Sequence, residues 1–206
     1  MRKFSVRSMV SGLATIALAW LASSGFSADA EKDADFKPIK EAELPKGFPT
    51  YTPVGTIEIK QYPAARLAQA KSNGDSGFWK LFLHIQTHNV AMTAPVQMEY
   101  RSDSQGKPKQ ASMAFFYGDP AVGTAGPAGP VEVLDVPATQ VVSIGMRGAD
   151  SRQRIESARK QIDEWLAAHP QYQVSGELRL MGYNSPFIAA DKQFFEVQLP
   201  VREAKK

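Results

Sequence analysis

The feature that most constrains the fold is a pattern of predicted strands and helices that occurs twice along the chain. In the first half, VGTIEIKQYPAARLAQAKSNG (residues 54–74) alternates apolar and polar side chains on both sides of Pro63. In the second half, PVEVLDVPATQVVSIGMRG (residues 130–148) does the same around Pro137. Alternation with a period of two is typical of half-buried strands, and proline marks a strand boundary because it has no N–H to donate. Each segment therefore predicts two strands joined by a tight connection.

A helix is predicted after each of these strand pairs, because apolar residues there recur at three- and four-residue spacing. The apolar face of the first helix comprises Phe78, Leu81, Phe82 and Ile85. That of the second helix comprises Ile155, Ala158, Ile162, Trp165 and Leu166. The second helix is expected to begin at a cap on Asp150 or Ser151 and to end before Pro170.

Two further strands are predicted after each helix. They are APVQMEYRS and KQASMAFFYG in the first half, and SGELRLMGY and QFFEVQLPV in the second. The order ββαββ thus occurs over residues 54–118 and again over residues 130–201, joined by a Gly- and Pro-rich connector. One such unit is too small to be stable alone. We therefore predict an α+β fold in which a duplicated ββαββ unit forms a distorted antiparallel β-barrel flanked by two helices.

The first 30 residues are predicted to be a secretory signal peptide. A basic head containing Arg2, Lys3 and Arg7 precedes an apolar run and a small-residue sequence that ends at Ala30. We expect cleavage after Ala30, with Ser27 and Ala28 as alternative sites. A membrane anchor would need about 20 apolar residues, and this run is shorter, so no stable membrane span is expected in the mature chain. The mature protein is accordingly predicted to be periplasmic or secreted.

The remaining sequence divides into an extended lead-in, residues 31–50, and one folded domain, residues 51–203. Removing the signal peptide takes away three basic residues and one acidic residue, which leaves a net charge of +1 instead of +3. Nucleic-acid binding requires a clustered basic surface, and we therefore expect no nucleic-acid partner. The chain contains no cysteine, which excludes disulfides, thiolate metal sites and a nucleophilic thiol.

No catalytic motif is apparent in the sequence. It lacks a G-x-S-x-G elbow, a phosphate-binding loop and a pair of acids at useful spacing. Thr93 has no neighbouring base that could activate it, and we expect its hydroxyl to hydrogen-bond its own backbone at a strand entry. The protein is therefore predicted not to be an enzyme.

Two segments resemble the signature of the SOUL haem-binding protein family. The stretch GFWKLFLHIQTHNVAMTAPVQM is similar to an aromatic helix followed by an Asn and a Met-Thr-Ala-Pro-Val string. The stretch GYNSPFIAADKQFFEVQL is similar to a Tyr, a Pro-aromatic step and an Asn-Glu-Val-like strand. The matching residues are Asn89, Met92, Thr93, Ala94, Pro95, Val96, Tyr183, Pro186 and Phe187. The family fold implied by this resemblance is also a duplicated β/α unit forming a distorted barrel.

The resemblance implies noncovalent binding of haem or another tetrapyrrole near the first helix and the strands that follow it. The candidate haem-binding residues there are His84, His88, Phe82 and Met92. A neutral imidazole can ligate haem iron, so His84 and His88 are the candidate iron ligands. They are four residues apart and lie on one helix face; the alternative is that they are polar residues flanking an amphipathic helix.

The sequence departs from the family pattern where some haem-binding members carry a basic residue after the Pro-aromatic step. Ile188 occupies that position, so a partner for a haem propionate is missing. The alternative function is therefore a module that binds another planar or small apolar ligand or effector without binding haem.

Overall fold

The structure, a computed structural model, describes residues 33, 36–71 and 74–204. The predicted signal peptide and its cleavage site lie outside these residues. The strands are β1 Ile57–Tyr62, β2 Ala65–Ala70, β3 Val96–Ser102, β4 Pro108–Phe116, β5 Gly126–Ala128, β6 Val131–Val136, β7 Thr139–Arg147, β8 Tyr172–Val174, β9 Leu178–Gly182 and β10 Phe194–Glu203. The helices are α1 Gly74–Thr87 and α2 Arg152–Ala168, with one 3-10 turn at Ala190–Lys192.

All ten strands belong to one sheet, and every pair of named strands is antiparallel. The order is β1-β7-β10-β9-β3-β4-β2-β6-β5, with β8 paired to β10. An antiparallel α+β fold with two helices is thereby confirmed. The path of hydrogen-bonded strands in the described chain is open, with β1 and β5 at its ends, so the predicted closure into a barrel is not confirmed.

The strand order of the sheet is symmetric with respect to the two halves of the chain. Exchanging β1 with β6, β2 with β7, β3 with β9 and β4 with β10 reverses the series from β1 to β6. The predicted order ββαββ is present in each half, and two short strands were not predicted. Strand β5 lies in the Gly- and Pro-rich connector and pairs with β6, and β8 follows α2 and pairs with β10.

Both helices pack on the same face of the sheet, which we call the outer face. Helix α2 begins at Ser151, whose side chain accepts a hydrogen bond from the N–H of Arg154, as the sequence predicted. It buries Ile155, Ala158 and Ile162 against β7, β9 and β10. Helix α1 buries Leu81 and Ile85 against β2, β4 and β6. Within the described residues, neither helix is long and apolar enough to cross a membrane.

The opposite, inner face of the sheet is covered by the N-terminal strap, which we define as residues 36–54. Most of the strap has no regular secondary structure. It nevertheless packs closely: Phe48 contacts the rings of Tyr62 and Phe116 at centroid distances of 5.0 and 4.9 Å. Phe36 stacks on Phe194 at 6.2 Å. The strap therefore completes the core on a face that the two helices leave uncovered.

Candidate functional site

The two candidate histidines lie side by side at the end of α1. Their ring centroids are 4.3 Å apart, which confirms the shared helix face predicted from their spacing. His84 is buried, and its Nε2 lies 2.8 Å from the hydroxyl of Tyr117. His88 is exposed, and its Nδ1 lies 2.9 Å from the carbonyl oxygen of His84.

The hydrogen bonds of these two rings leave different nitrogen atoms available. A carbonyl oxygen can only accept, so Nδ1 of neutral His88 carries the hydrogen and Nε2 keeps its lone pair. That Nε2 has no hydrogen-bond partner in the described part of the chain. In His84, Nε2 is already bonded to Tyr117. Burial lowers the pKa of His84, and the neighbouring His88 lowers it further, so His84 favours its neutral form.

Phe82 does not join the histidines. It stacks on Phe78 at 6.1 Å and packs edge-on against Trp79 at 5.8 Å. A separation of six residues on a helix turns the direction of Phe82 by about 120° from that of His88. Phe82 remains 36% exposed and Trp79 62% exposed, so this aromatic cluster forms a separate apolar patch on α1.

The signature segment after α1 forms a turn into β3 that is fixed by backbone contacts. Asn89 has a φ of 51°, a left-handed conformation that asparagine adopts more readily than most residues. The peptide bond between Ala94 and Pro95 is cis. The Thr93 hydroxyl donates to the carbonyl of Phe116 at 2.6 Å. The prediction that this hydroxyl bonds to its own backbone is therefore wrong. Met92 is 37% exposed.

The second signature segment forms the loop between β9 and β10. The side-chain oxygen of Asn184 accepts from the N–H of Phe194 at 3.0 Å. The Glu41 carboxylate of the strap accepts from the N–H and the hydroxyl of Ser185, at 2.7 and 2.8 Å. Phe187 at the tip is 96% exposed, whereas Tyr183 is buried. The loop is thus anchored to the strap, and its Pro-aromatic step points away from the core.

A buried polar cluster, which was not predicted from the sequence, lies on the inner face. Lys60 Nζ and Glu196 Oε1 are 2.7 Å apart, and their side chains are only 3% and 0% exposed. The backbone N–H of Thr52 in the strap also donates to Glu196 Oε1, at 2.5 Å. The side-chain nitrogen of Gln198 donates to Glu196 Oε2 and, at 2.9 Å, to the hydroxyl of Tyr62. Both oxygens of Glu196 therefore have donors, as a buried carboxylate requires.

Two tyrosines and one arginine extend this cluster. Burial raises the pKa of Tyr62 and of Tyr183 well above the ordinary value, and the charge of Glu196 raises both further. The guanidinium of Arg179 lies over the Tyr62 ring, with Cζ 4.8 Å from its centroid. Its Nε donates to Gln198 at 2.9 Å. Both phenols are therefore neutral near neutral pH, and the charges of the cluster lie in an enclosed environment.

The sequence could not assign this cluster, because polar residues alternating along a strand ordinarily face water. Lys60 and Tyr62 alternate with apolar residues in β1, and Glu196 and Gln198 do so in β10. They are removed from solvent by the strap, which carries no strand or helix pattern, together with inner-face side chains such as Arg179, which lies over Tyr62. The partner of His84 was also missed, since Tyr117 is 33 residues away along the chain.

A cavity of about 290 Å³ lies where the strap meets the two signature segments. We call it the strap cavity. Ala94 of the first signature segment and Tyr183 of the second form one side of it. The strap supplies the rest of the lining, which is Pro38, Ile39, Lys40, Glu41, Ala42, Glu43, Leu44, Thr50 and Tyr51. None of the candidate haem-binding residues lines the strap cavity.

A second, polar cavity of about 620 Å³ lies between α2 and the β3–β4 hairpin. Its charged lining residues are Arg101, Lys107, Glu156, Arg159, Lys160, Asp163 and Glu177. Arg159 and Asp163 bond to each other at 2.9 Å, as exposed helix pairs commonly do. Across the described chain, no three His, Asp or Glu side chains are grouped to hold a metal ion.

Solved structures share the fold of this chain at low sequence identity. The C-terminal domain of EcmrR matches with a TM-score of 0.55 and 16% identity, covering 72% of this chain and 98% of that one. A protein from Listeria innocua described as a hydrolase matches with a TM-score of 0.56 and 11% identity, covering 74% and 94%. An uncharacterized conserved protein from the same organism gives 0.53 and 12%, covering 74% and 95%. At these identities the likeness concerns the fold alone.

No curated protein sequence matches the chain. The family model described as "SOUL heme-binding protein" matches residues 48–200. That range includes both signature segments, α1, α2 and all the strands up to Pro200 in β10. The resemblance read from the sequence is thereby confirmed, and the chain belongs to the SOUL heme-binding protein family.

Proposed function

We propose that the protein binds haem or a related tetrapyrrole noncovalently, with His88 as the iron ligand. The observation that carries this proposal is the free Nε2 of an exposed imidazole whose Nδ1 is held by the His84 carbonyl at 2.9 Å. A histidine that ligates a metal commonly donates its other ring N–H to a carbonyl, which fixes the tautomer and the ring orientation. Membership of the SOUL family supplies the expected ligand class.

The residues around His88 have separate roles in this proposal. His84 supports the ring of His88 from a buried position, and its own Nε2 is engaged by Tyr117, so His88 suits iron better than His84. Met92 follows His88 in the exposed turn and offers an apolar thioether for contact with a porphyrin edge. Phe82 lies on the adjoining aromatic patch and is a less direct candidate.

The donor set fits the chemistry of haem. Haem iron accepts a neutral imidazole as a ligand, and the residues around a haem control access to it and its potential. His88 would hold the iron, and the hydrogen bond to His84 would keep its Nδ1 protonated and its Nε2 basic. The protein itself would bind and orient the group, and we propose no enzymatic activity.

Hemin titration tests this proposal. Purified protein starting at residue 31 should shift the Soret band of hemin and reach saturation at one equivalent. His88→Ala should weaken binding by at least about tenfold, and Phe187→Ala, which changes an exposed side chain in a different loop, should leave it unchanged. An absorbance that rises linearly without saturation would overturn the proposal.

A second candidate function is a module that binds a small apolar or planar ligand without haem. The observation that favours it is Ile188, where some relatives have a basic residue suited to a propionate. A thermal-shift screen separates the two, because a ligand that binds only the folded state raises its melting temperature. Stabilisation by neutral planar aromatics but not by hemin would support this second function.

We also propose that the mature protein is periplasmic or secreted, because of the basic, apolar and small-residue order in residues 1–30. Expression of the full chain in a Gram-negative bacterium, followed by fractionation and N-terminal sequencing, tests this. The expected product begins at Glu31 in the periplasm or medium. A product that keeps Arg2 and Lys3 would contradict it.

A further inference from the structure

We propose that the strap cavity is a second ligand site, which takes one small, uncharged, apolar molecule. It is separate from the His88 edge of α1 and does not depend on haem binding. Five observations support it: the rigidity of one wall, the anchoring of the other, the pairing of the charges, the size of the cavity and the position of the strap relative to the family match.

The inner wall of the strap cavity is formed before any ligand arrives. Tyr51 and Tyr183 both pack against the ring of Phe194, at centroid distances of 5.5 and 5.3 Å. Phe194 is itself buried. The two tyrosine rings are therefore fixed, and a ligand that contacts them loses little free energy to ordering the protein.

The outer wall is the strap, and polar contacts hold it at two places. Glu41 accepts from the N–H and hydroxyl of Ser185, at 2.7 and 2.8 Å. The carbonyl of Glu43 accepts from the N–H of Ala94 at 3.0 Å. The surface that lines the cavity is mainly apolar, and its apolar part comes from Pro38, Ile39, Ala42, Leu44 and the tyrosine rings.

The charges in the lining are already compensated by the protein. Lys40 and Glu43 form an ion pair at 2.7 Å. Although desolvation raises the pKa of Glu41, the hydrogen bonds from Ser185 and Asn184 outweigh it and keep this carboxylate ionised. A charged ligand would therefore find no unpaired opposite charge in the lining. An uncharged apolar ligand would instead bury surface without breaking any of these bonds.

The size of the cavity agrees with a small ligand. A volume of about 290 Å³ lies near the lower end of the roughly 300–1,000 Å³ found for small-molecule sites. A tetrapyrrole is larger than this space. The strap cavity thus suits a molecule of up to three fused or linked rings.

The strap residues that form the outer wall lie mostly outside the family match, which begins at residue 48. Pro38, Ile39, Ala42 and Leu44 all precede that residue. The outer wall of the site is therefore formed mostly by a segment that precedes the family match.

Titration with the neutral fluorescent probe N-phenyl-1-naphthylamine tests the site. The protein starting at residue 31 should enhance and blue-shift the fluorescence of the probe, and saturate at one equivalent. Ala42→Trp, which fills the cavity, should weaken binding by at least about tenfold, and Thr50→Trp fills it from the other side with the same expected result. The matched control is Ala125→Trp in the exposed connector, which should bind normally.

Three controls separate this site from the others. His88→Ala should retain probe binding, and Ala42→Trp should retain hemin binding, so the failure of one proposal does not imply the failure of the other. The proposal would be overturned if both cavity-filling variants still bind the probe and Phe82→Ser does not, because the probe would then bind the aromatic patch on α1. Fluorescence that never saturates would also overturn it. Circular dichroism of each Trp variant establishes that it is folded.

Discussion

At the scale of residues, His88 combines exposure with a fixed tautomer. Its Nδ1 is held by the His84 carbonyl and its Nε2 remains free, whereas His84 has the opposite properties of burial and an engaged Nε2. Two histidines four residues apart therefore differ because one faces Tyr117 in the core and the other faces solvent. Their spacing alone predicted that they would be neighbours and could not predict this difference.

The buried position of His84 predicts that stability falls as the solution becomes acidic. Burial lowers its pKa below the ordinary 6.5, and the charge of His88 lowers it further. The unfolded chain then binds more protons than the folded one. The contribution of His84 to the free energy of unfolding is therefore complete above about pH 6.5 and is lost as the pH falls through the pKa of the folded state. The melting temperature should be lower at pH 5 than at pH 7.5, and this difference should be smaller in His84→Gln than in the wild type. The groups facing the ring are His88 and Tyr117, and an unchanged drop in the variant would contradict the assignment.

The buried ion pair on the inner face predicts an asymmetric mutational response. Glu196→Gln leaves Lys60 buried without an ionised partner, and should lower the free energy of unfolding by about 3–5 kcal/mol. Replacing both residues by apolar ones, Lys60→Met with Glu196→Leu, should recover part of that loss, because the charge of Lys60 is removed together with that of its partner. Urea denaturation measures both.

The matched control for this prediction is an exposed pair on α2. Lys160 and Glu164 are 3.8 Å apart with side chains 79% and 67% exposed, and Glu164→Gln should change stability by less than about 1 kcal/mol. A Glu196→Gln cost as small as that of the control would mean that the buried pair is not ionised in the folded protein.

At the scale of elements, the positions of the longer strands could be predicted from the sequence, whereas their packing could not. The alternation of apolar residues predicted β1, β3, β4 and β10, because their side chains face two different environments. Strands β5 and β8 have only three residues each, too few to show a period, and they exist through their pairing with β6 and β10. The strap was predicted only as extended, since packing on the inner face is decided by Phe36 and Phe48 contacting residues far along the chain.

The crossing of the strap over β7 predicts that one glycine is essential there. A Cβ on Gly145 would collide with the carbonyl oxygen of Thr52 and lie 2.6 Å from that of Pro53. Gly145→Ala should therefore displace the end of the strap and cost about 1–3 kcal/mol, as overpacking does. The measurement is chemical denaturation.

A second glycine provides the control. A Cβ on Gly118 would meet only Thr93 Cγ2, at 3.8 Å, so Gly118→Ala should cost much less than Gly145→Ala. Equal stabilities of the two variants would contradict a close crossing at Gly145.

At the scale of the whole molecule, the sheet separates two environments. The outer face is covered by both helices, and the exposed His88 lies on this side of the sheet, at the end of α1. The inner face carries the buried polar cluster and the strap cavity. The predicted α+β class and order of elements are confirmed. Closure of the sheet into a barrel is not confirmed, because the spacing of strands in a sequence does not determine whether the last strand of a sheet meets the first.

Rescue of a His88→Ala variant by imidazole during hemin titration is the decisive test of His88 as the iron ligand. The variant should lose the wild-type Soret shift, and added imidazole should restore it, because the free base occupies the place of the missing side chain. The matched His169→Ala variant, which removes the histidine that ends α2, should behave as wild type. A His88→Ala protein with the wild-type spectrum and affinity in the absence of imidazole would contradict the assignment of His88 as the ligand.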